Sequence, residues 1–199
     1  DLGLPEAQIG LMPGAGGVVR VTRLLGMQEA IGLISQGARL KADKALEKGL
    51  IHEIAANEDE MRERAYAWLL ANPDAKQPWD REGYKMPGGG PDHKANQGLL
   101  MLGPVNVMNQ TRGLMPAQKA IFAAVADCAR VDFDTAQKIE ARYFLSLLLD
   151  QTARNMMIAF FVQMNAISKG ASRPAGIERR KVKTLGILGA GQIGAGIAY

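Results

Sequence analysis

The chain has 199 residues, 47% of them apolar and 22% charged, the balance of a globular protein with room for one sizeable domain or parts of two. Its net charge of +4 and pI near 9.3 suit an anionic ligand, but no Lys/Arg run with interleaved aromatic residues marks a nucleic-acid surface. A single cysteine, Cys128, excludes an internal disulfide and points to a reducing compartment.

Leu2 to Gly17 reads as loop, with Pro5, Pro13 and closely spaced glycines. Three short helices are expected next: Val18 to Leu25 stopped by Gly26, Gln28 to Ser35 ending near Gly37, and Ala42 to Lys48 stopped by Gly49. Leu50 to Ile54 is a candidate strand. Asn57 to Ala71 is the clearest helix of this half. Asn57 stands as N-cap with Glu60 three places on, and Met61, Ala65, Trp68 and Leu69 form an apolar stripe.

Asn72 to Gly98, with four prolines and the run Gly88-Gly89-Gly90, predicts a long irregular connection. Its Trp79 and Tyr84 suggest that it packs on a surface. Helix resumes near Leu99, with Pro104 and Pro116 as breaks and Pro116 opening a helix from Ala117 to about Arg130. Asp134 is expected to cap one long helix reaching about Lys169. Gly170 to Arg180 is a polar, basic linker, and Val182 to Leu188 reads as a buried strand. The apolar stretch from Tyr143 to Ile167 is interrupted by Asp150, Arg154 and Asn155, too often for a bilayer span. Cys128 reads as a small buried helix residue, and the methionines, Met12, Met101, Met108, Met115, Met156, Met157 and Met164, as core packing.

Two motifs carry chemistry. The end of the chain runs from the expected strand into Gly189-Ala-Gly191-Gln192-Ile193-Gly194, the G-x-G-x-x-G order of a dinucleotide-binding turn. Gly189 permits the tight turn, Gly191 a close approach to a pyrophosphate, and Gly194 the packing of the new helix on the strand. The acidic residue that would distinguish NAD from NADP is expected about 20 positions further on, past Tyr199. The alternative is a glycine-rich turn with no ligand.

The second motif is Leu4-Pro5-Glu6, then Ile9-Gly10-Leu11-Met12-Pro13-Gly14-Ala15-Gly16-Gly17, then Arg20 and Arg23-Leu24-Leu25-Gly26. It resembles the segment of the enoyl-CoA hydratase/isomerase (crotonase) superfamily that carries the second catalytic glutamate. Ala45-Leu46 and Gly49-Leu50-Ile51 resemble its continuation. With the Gly189 motif, the order is similar to that of the multifunctional fatty-acid β-oxidation enzymes, in which such a hydratase is fused to an NAD-dependent 3-hydroxyacyl-CoA dehydrogenase.

The resemblance implies an α/β chain: the C-terminal part of a spiral ββα crotonase domain at 1–71, an insertion with linking helices at 72–169, a linker at 170–181, and the first strand–turn–helix of a Rossmann NAD-binding domain at 182–199. It implies an internal piece of a larger enzyme acting on acyl-CoA thioesters, with coenzyme A as part of the substrate. Glu6 would be the general acid/base in hydrating a trans-2-enoyl-CoA, working with a second glutamate and backbone donors upstream of Asp1. Two carboxyls in one apolar site divide the labour, one donating a proton while the other stays basic. The chain alone is therefore expected to be inactive in both reactions.

Gly189, Gly191, Gln192, Ile193 and Gly194 would hold NAD. Gly14 and Gly16 are candidates for lining the acyl group, though a turn into the next helix is the favoured reading. Arg20 and Arg23 are better read as a solvated or salt-bridged face than as phosphate contacts, and His52 and His93 as ordinary histidines. A thiolase subunit, an oligomer, and a cytoplasmic or mitochondrial-matrix location complete what the family implies. Double-bond isomerisation and a non-catalytic acyl-CoA- or RNA-binding homologue are the rival readings.

Overall fold

The computed structural model describes residues 1–177 and 181–199; the last three residues of the expected basic linker, 178–180, lie outside them. The chain divides into two units, Asp1–Met164 and Asn165–Tyr199.

The first unit is built almost wholly of helices. After β1 (Leu2–Gly3) and a 3-10 turn at Pro5–Ile9 come α1 (Gly17–Leu25), α2 (Met27–Gln36), β2 (Arg39–Leu40), α3 (Ala42–Glu47) and α4 (Glu58–Ala71). A short 3-10 turn at Pro78–Asp80 is followed by α5 (Lys94–Thr111), α6 (Pro116–Cys128), α7 (Phe133–Leu148), α8 (Gln151–Met156) and a π-helical stretch at Met157–Gln163. β1 and β2 pair antiparallel, Leu2 opposite Leu40. They form the only sheet among the described residues, so the α/β expectation is corrected to a mostly helical chain.

Glycine sets the early boundaries. Gly26 ends α1 at φ 83° and Gly37 ends α2 at φ 59°, a backbone region that a side chain disfavours. The core is a layer of small and branched residues. Val18 and Val21 of α1, Met27, Ala30 and Ile34 of α2, and Ala117, Ile121, Ala124 and Val125 of α6 are buried together. Alanines at 30, 117 and 124 let the α2 and α6 backbones approach closely, while Leu147 and Ala153 close the cluster from α7 and α8. The helices beyond residue 77 thus share one core with the start of the chain.

Several expectations need correction. Leu50 to Ile54 is irregular, not a strand, since no neighbouring strand among the described residues offers it a ladder. The helix expected to resume near Leu99 already begins at Lys94, and Pro104 lies inside it. Asp132, not Asp134, caps α7, its side chain accepting from the Thr135 N–H at 2.9 Å. The single long helix is broken after Leu148. Asp150 there takes the N–H groups of Thr152 at 2.8 Å and Ala153 at 3.1 Å and starts a new helix.

α4 begins as expected, Asn57 accepting from Glu60 N–H at 2.9 Å. Its stripe is uncovered, however: Met61, Trp68 and Leu69 are all exposed. Among the methionines, Met12 and Met156 are buried, but Met101, Met108 and Met164 are exposed. Trp79 and Tyr84 do dock the irregular connection. Trp79 stacks on Phe133 with ring centroids 5.3 Å apart, and the Tyr84 hydroxyl donates to the Arg23 carbonyl at 2.6 Å.

The second unit begins within α9 (Met164–Ser168) and ends with α10 (Gln192–Ala198). Val182 to Leu188 is neither a strand nor buried: Val182, Leu185 and Leu188 are exposed. An apolar segment becomes a buried strand only when neighbours take up its backbone hydrogen bonds, and no partner strand is present among the described residues. No described helix is long and apolar enough to cross a membrane.

Candidate functional site

Glu6 sits in the 3-10 turn Pro5–Ile9, which Pro5 opens and Gly10 closes at φ 80°. The turn is fixed from behind: Ala7 is buried, Leu11 N–H donates to the Glu6 carbonyl at 3.0 Å, and Gln8 reaches the Gly37 carbonyl at 3.1 Å. The Glu6 side chain is left uncommitted. Its Oε2 is buried and has no hydrogen-bond partner among the described residues. A buried carboxylate oxygen without a donor is costly unless something else uses it.

The glycine loop that follows is held by α7. Glu140 is 1% exposed. Its two carboxylate oxygens accept from Gly16 N–H at 2.6 Å and Val19 N–H at 2.9 Å. These are orphan donors at the start of α1, where a negative charge also meets the positive end of the helix. Burial pushes the Glu140 carboxyl above its ordinary range, and the N–H groups of Val19, Gly16 and Gly17 pull it back. One helical turn on, the Phe144 ring occupies the place a side chain at Gly14 would take.

Gly16 stands at φ 86° with its N–H committed to Glu140. That N–H is therefore not free to hold a substrate, and Gly14 is filled from the protein side. Sequence reasoning passed over Glu140. The signal was a carboxylate on the stripe Ala136, Glu140, Tyr143, Leu147, which otherwise faces the core.

Arg20 is exposed and donates to the Ala15 carbonyl at 3.1 Å. Arg23 departs from the expected solvated or paired face. It is 5% exposed, donates to the Val131 carbonyl at 2.9 Å, and lies 5.4 Å over the Phe133 ring, with Nη1 unpartnered among the described residues. His52 is exposed; so is His93, which caps α5 by accepting from Ala95 N–H. Cys128 is buried on α6 and faces the Ala136 carbonyl at 3.3 Å. No cluster of His, Cys, Asp and Glu able to hold a metal occurs among the described residues.

The half-buried Glu6 thus stands at the head of a glycine-rich turn with one buried, unpaired oxygen. Residues 1–77 match the enoyl-CoA hydratase/isomerase family. The matched segment spans Glu6, the glycine loop, α1 to α4 and the first residues of the irregular connection. The match is a similarity over 77 of the 199 residues. α6 and α7, which complete the segment's core and cap its loop, lie outside the match.

The second unit keeps the turn of the expected dinucleotide motif but not its frame. Gly189 has φ 95°, and Gly191 N-caps α10, its carbonyl accepting from Ala195 N–H at 2.9 Å. Gly194 lies so close to the Gly189 carbonyl that a side chain there would collide with it. Gln192 and Ile193 are exposed beside them. At Gly191 nothing lies within 4 Å of the place a side chain would take, so its backbone is open to an approaching group; no sheet stands behind the turn among the described residues.

Proposed function

We propose that this chain belongs to an enzyme that hydrates trans-2-enoyl-CoA thioesters to 3-hydroxyacyl-CoA, with Glu6 as a general acid/base. The observation that carries this reading is the buried, unpartnered Oε2 of Glu6 at the head of the matched segment. In hydration, water adds its oxygen to the β-carbon and a proton reaches the α-carbon. A carboxylate beside the double bond takes a proton from the water and delivers one to carbon. Backbone N–H groups hold the enolate charge on the thioester oxygen. The N–H of Gly16 is already engaged, so that role falls to donors elsewhere, as does that of a second carboxylate.

The reading extends to a following NAD-linked oxidation of the 3-hydroxyacyl product, supported by the turn at Gly189 to Gly194. There Gly189, Gly191, Gln192, Ile193 and Gly194 would hold the pyrophosphate through backbone groups. The nicotinamide supplies the hydride acceptor. A tethered second site would meet the intermediate at high effective concentration, and a thiolase partner would consume the 3-oxoacyl product.

The test is hydration of crotonyl-CoA by the full-length protein and its Glu6→Gln variant. A loss of about a hundredfold or more is expected from removing acid/base work. An unchanged rate refutes the assignment of Glu6. Conversion of a 3-enoyl-CoA to the 2-enoyl isomer without net hydration would move the reading to isomerisation.

A further inference from the structure

The site proposed for hydration is gripped from outside the matched segment. Glu140 and Phe144 lie four residues apart on α7 and so share one face. Glu140 takes the N–H groups of Gly16 and Val19, and Phe144 fills the space beside Gly14. The loop between these points leans on the Glu6 turn. A Cβ at Gly17 would lie 2.7 Å from Pro13 Cβ and 3.1 Å from Leu4 Cδ1, and Leu4 is two residues before Glu6. On the other side of the turn, Gly10 has no room for a side chain because Ala153 Cα and Met156 Sδ of α8 stand 3.0 Å from where its Cβ would be.

We infer that Glu140 is a positioning residue for the chemistry of Glu6, with Phe144 as its companion. It acts by fixing the glycine loop on which the Glu6 turn rests. This rests on the hydratase reading above. Glu140 touches no reacting atom in this scheme. It supplies the acceptor that holds Gly16 at positive φ and sets the start of α1, and a displacement of about an ångström at a reacting group costs on the order of a hundredfold in rate. Glutamine at this position keeps the size but turns an NH2 group toward one of two N–H donors that need an acceptor.

The experiment measures kcat and KM for crotonyl-CoA with the full-length protein carrying Glu140→Gln, at a temperature where circular dichroism shows it folded. A fall in kcat of at least about tenfold, with KM within about twofold, is expected from a misplaced reacting group. Phe144→Leu, which retains bulk and burial, is the second variant if Glu140→Gln does not fold. It should move kcat in the same direction by a smaller factor. A merely structural Glu140 would lower the melting temperature and leave kcat of the folded enzyme unchanged, which overturns the inference while the hydratase reading stands. Absence of hydration by the parent protein overturns both.

Discussion

Glu140 Oε2 accepts from the N–H of Val19 at 2.9 Å across 121 positions of sequence, while its other oxygen holds Gly16. Burial raises the Glu140 carboxyl above its ordinary value of 4.5. A raised folded value means that the folded state keeps the proton longer than the unfolded chain. The stabilisation tied to that proton is present below about pH 4.5, is lost as pH rises through the folded value, and is level above it. Urea midpoints measured across that range should show a downward step from this group as pH rises. Glu140→Gln should remove the step; persistence of the step in the variant assigns it to another group.

Deleting the acceptor altogether has a larger effect. Glu140→Ala leaves two buried N–H groups without partners and should cost about 3 kcal/mol. Chemical denaturation against the parent protein measures it, and a loss under about 1 kcal/mol would show that water replaces the carboxylate.

Cys128 should be inert in the folded state. Burial, with the Glu140 charge as the next cause, pushes its thiol up to about 12, and the thiolate is the reactive form. With Ellman's reagent at pH 8, colour should develop only as fast as the protein opens, and at once in denaturant. Stoichiometric reaction of the native protein within seconds would contradict the buried placement.

Two glycines of α5 should respond oppositely to alanine. At Gly103 a Cβ would fall on the Phe122 ring of α6, whereas at Gly98 it meets nothing within 4 Å. Gly98→Ala should therefore stabilise by roughly 0.5–1 kcal/mol through helix propensity. Gly103→Ala should lose about 1–3 kcal/mol from overpacking. Equal effects in thermal melts would mean that α5 does not cross α6 at residue 103.

The irregular connection should loosen when its anchors are cut. Tyr84→Phe removes the hydroxyl that donates to the Arg23 carbonyl and should cost about 1 kcal/mol. Trp79→Ala removes the stack on Phe133 and should speed amide exchange across residues 76–92. Unaltered exchange there would show that the connection is held by other contacts.

What the sequence made legible was local. Gly26 and Gly37 stop helices because their backbone angles are set within a few residues, and Asn57 and Pro116 start them for the same reason. The docking of Trp79 and Tyr84 was also readable, since large aromatic groups in a Pro/Gly-rich stretch need cover. Glu140 was not, because its partners are more than a hundred residues away and no local pattern names them. The break before Asp150 was hidden inside an apolar period that continues across it. Val182 to Leu188 has a strand's composition, but a strand is a property of a sheet, which no single segment carries.

The bond between Val19 and Glu140 also orders events in the cell. At a translation rate of about 5–20 residues per second, the start of α1 leaves the ribosome several seconds or more before its acceptor exists. During that interval the glycine loop lacks its anchor, and α1 lacks the α6 surface against which it packs. The segment bearing Glu6 is therefore synthesised well before α7 yet reaches its final shape only when the chain behind it has folded back.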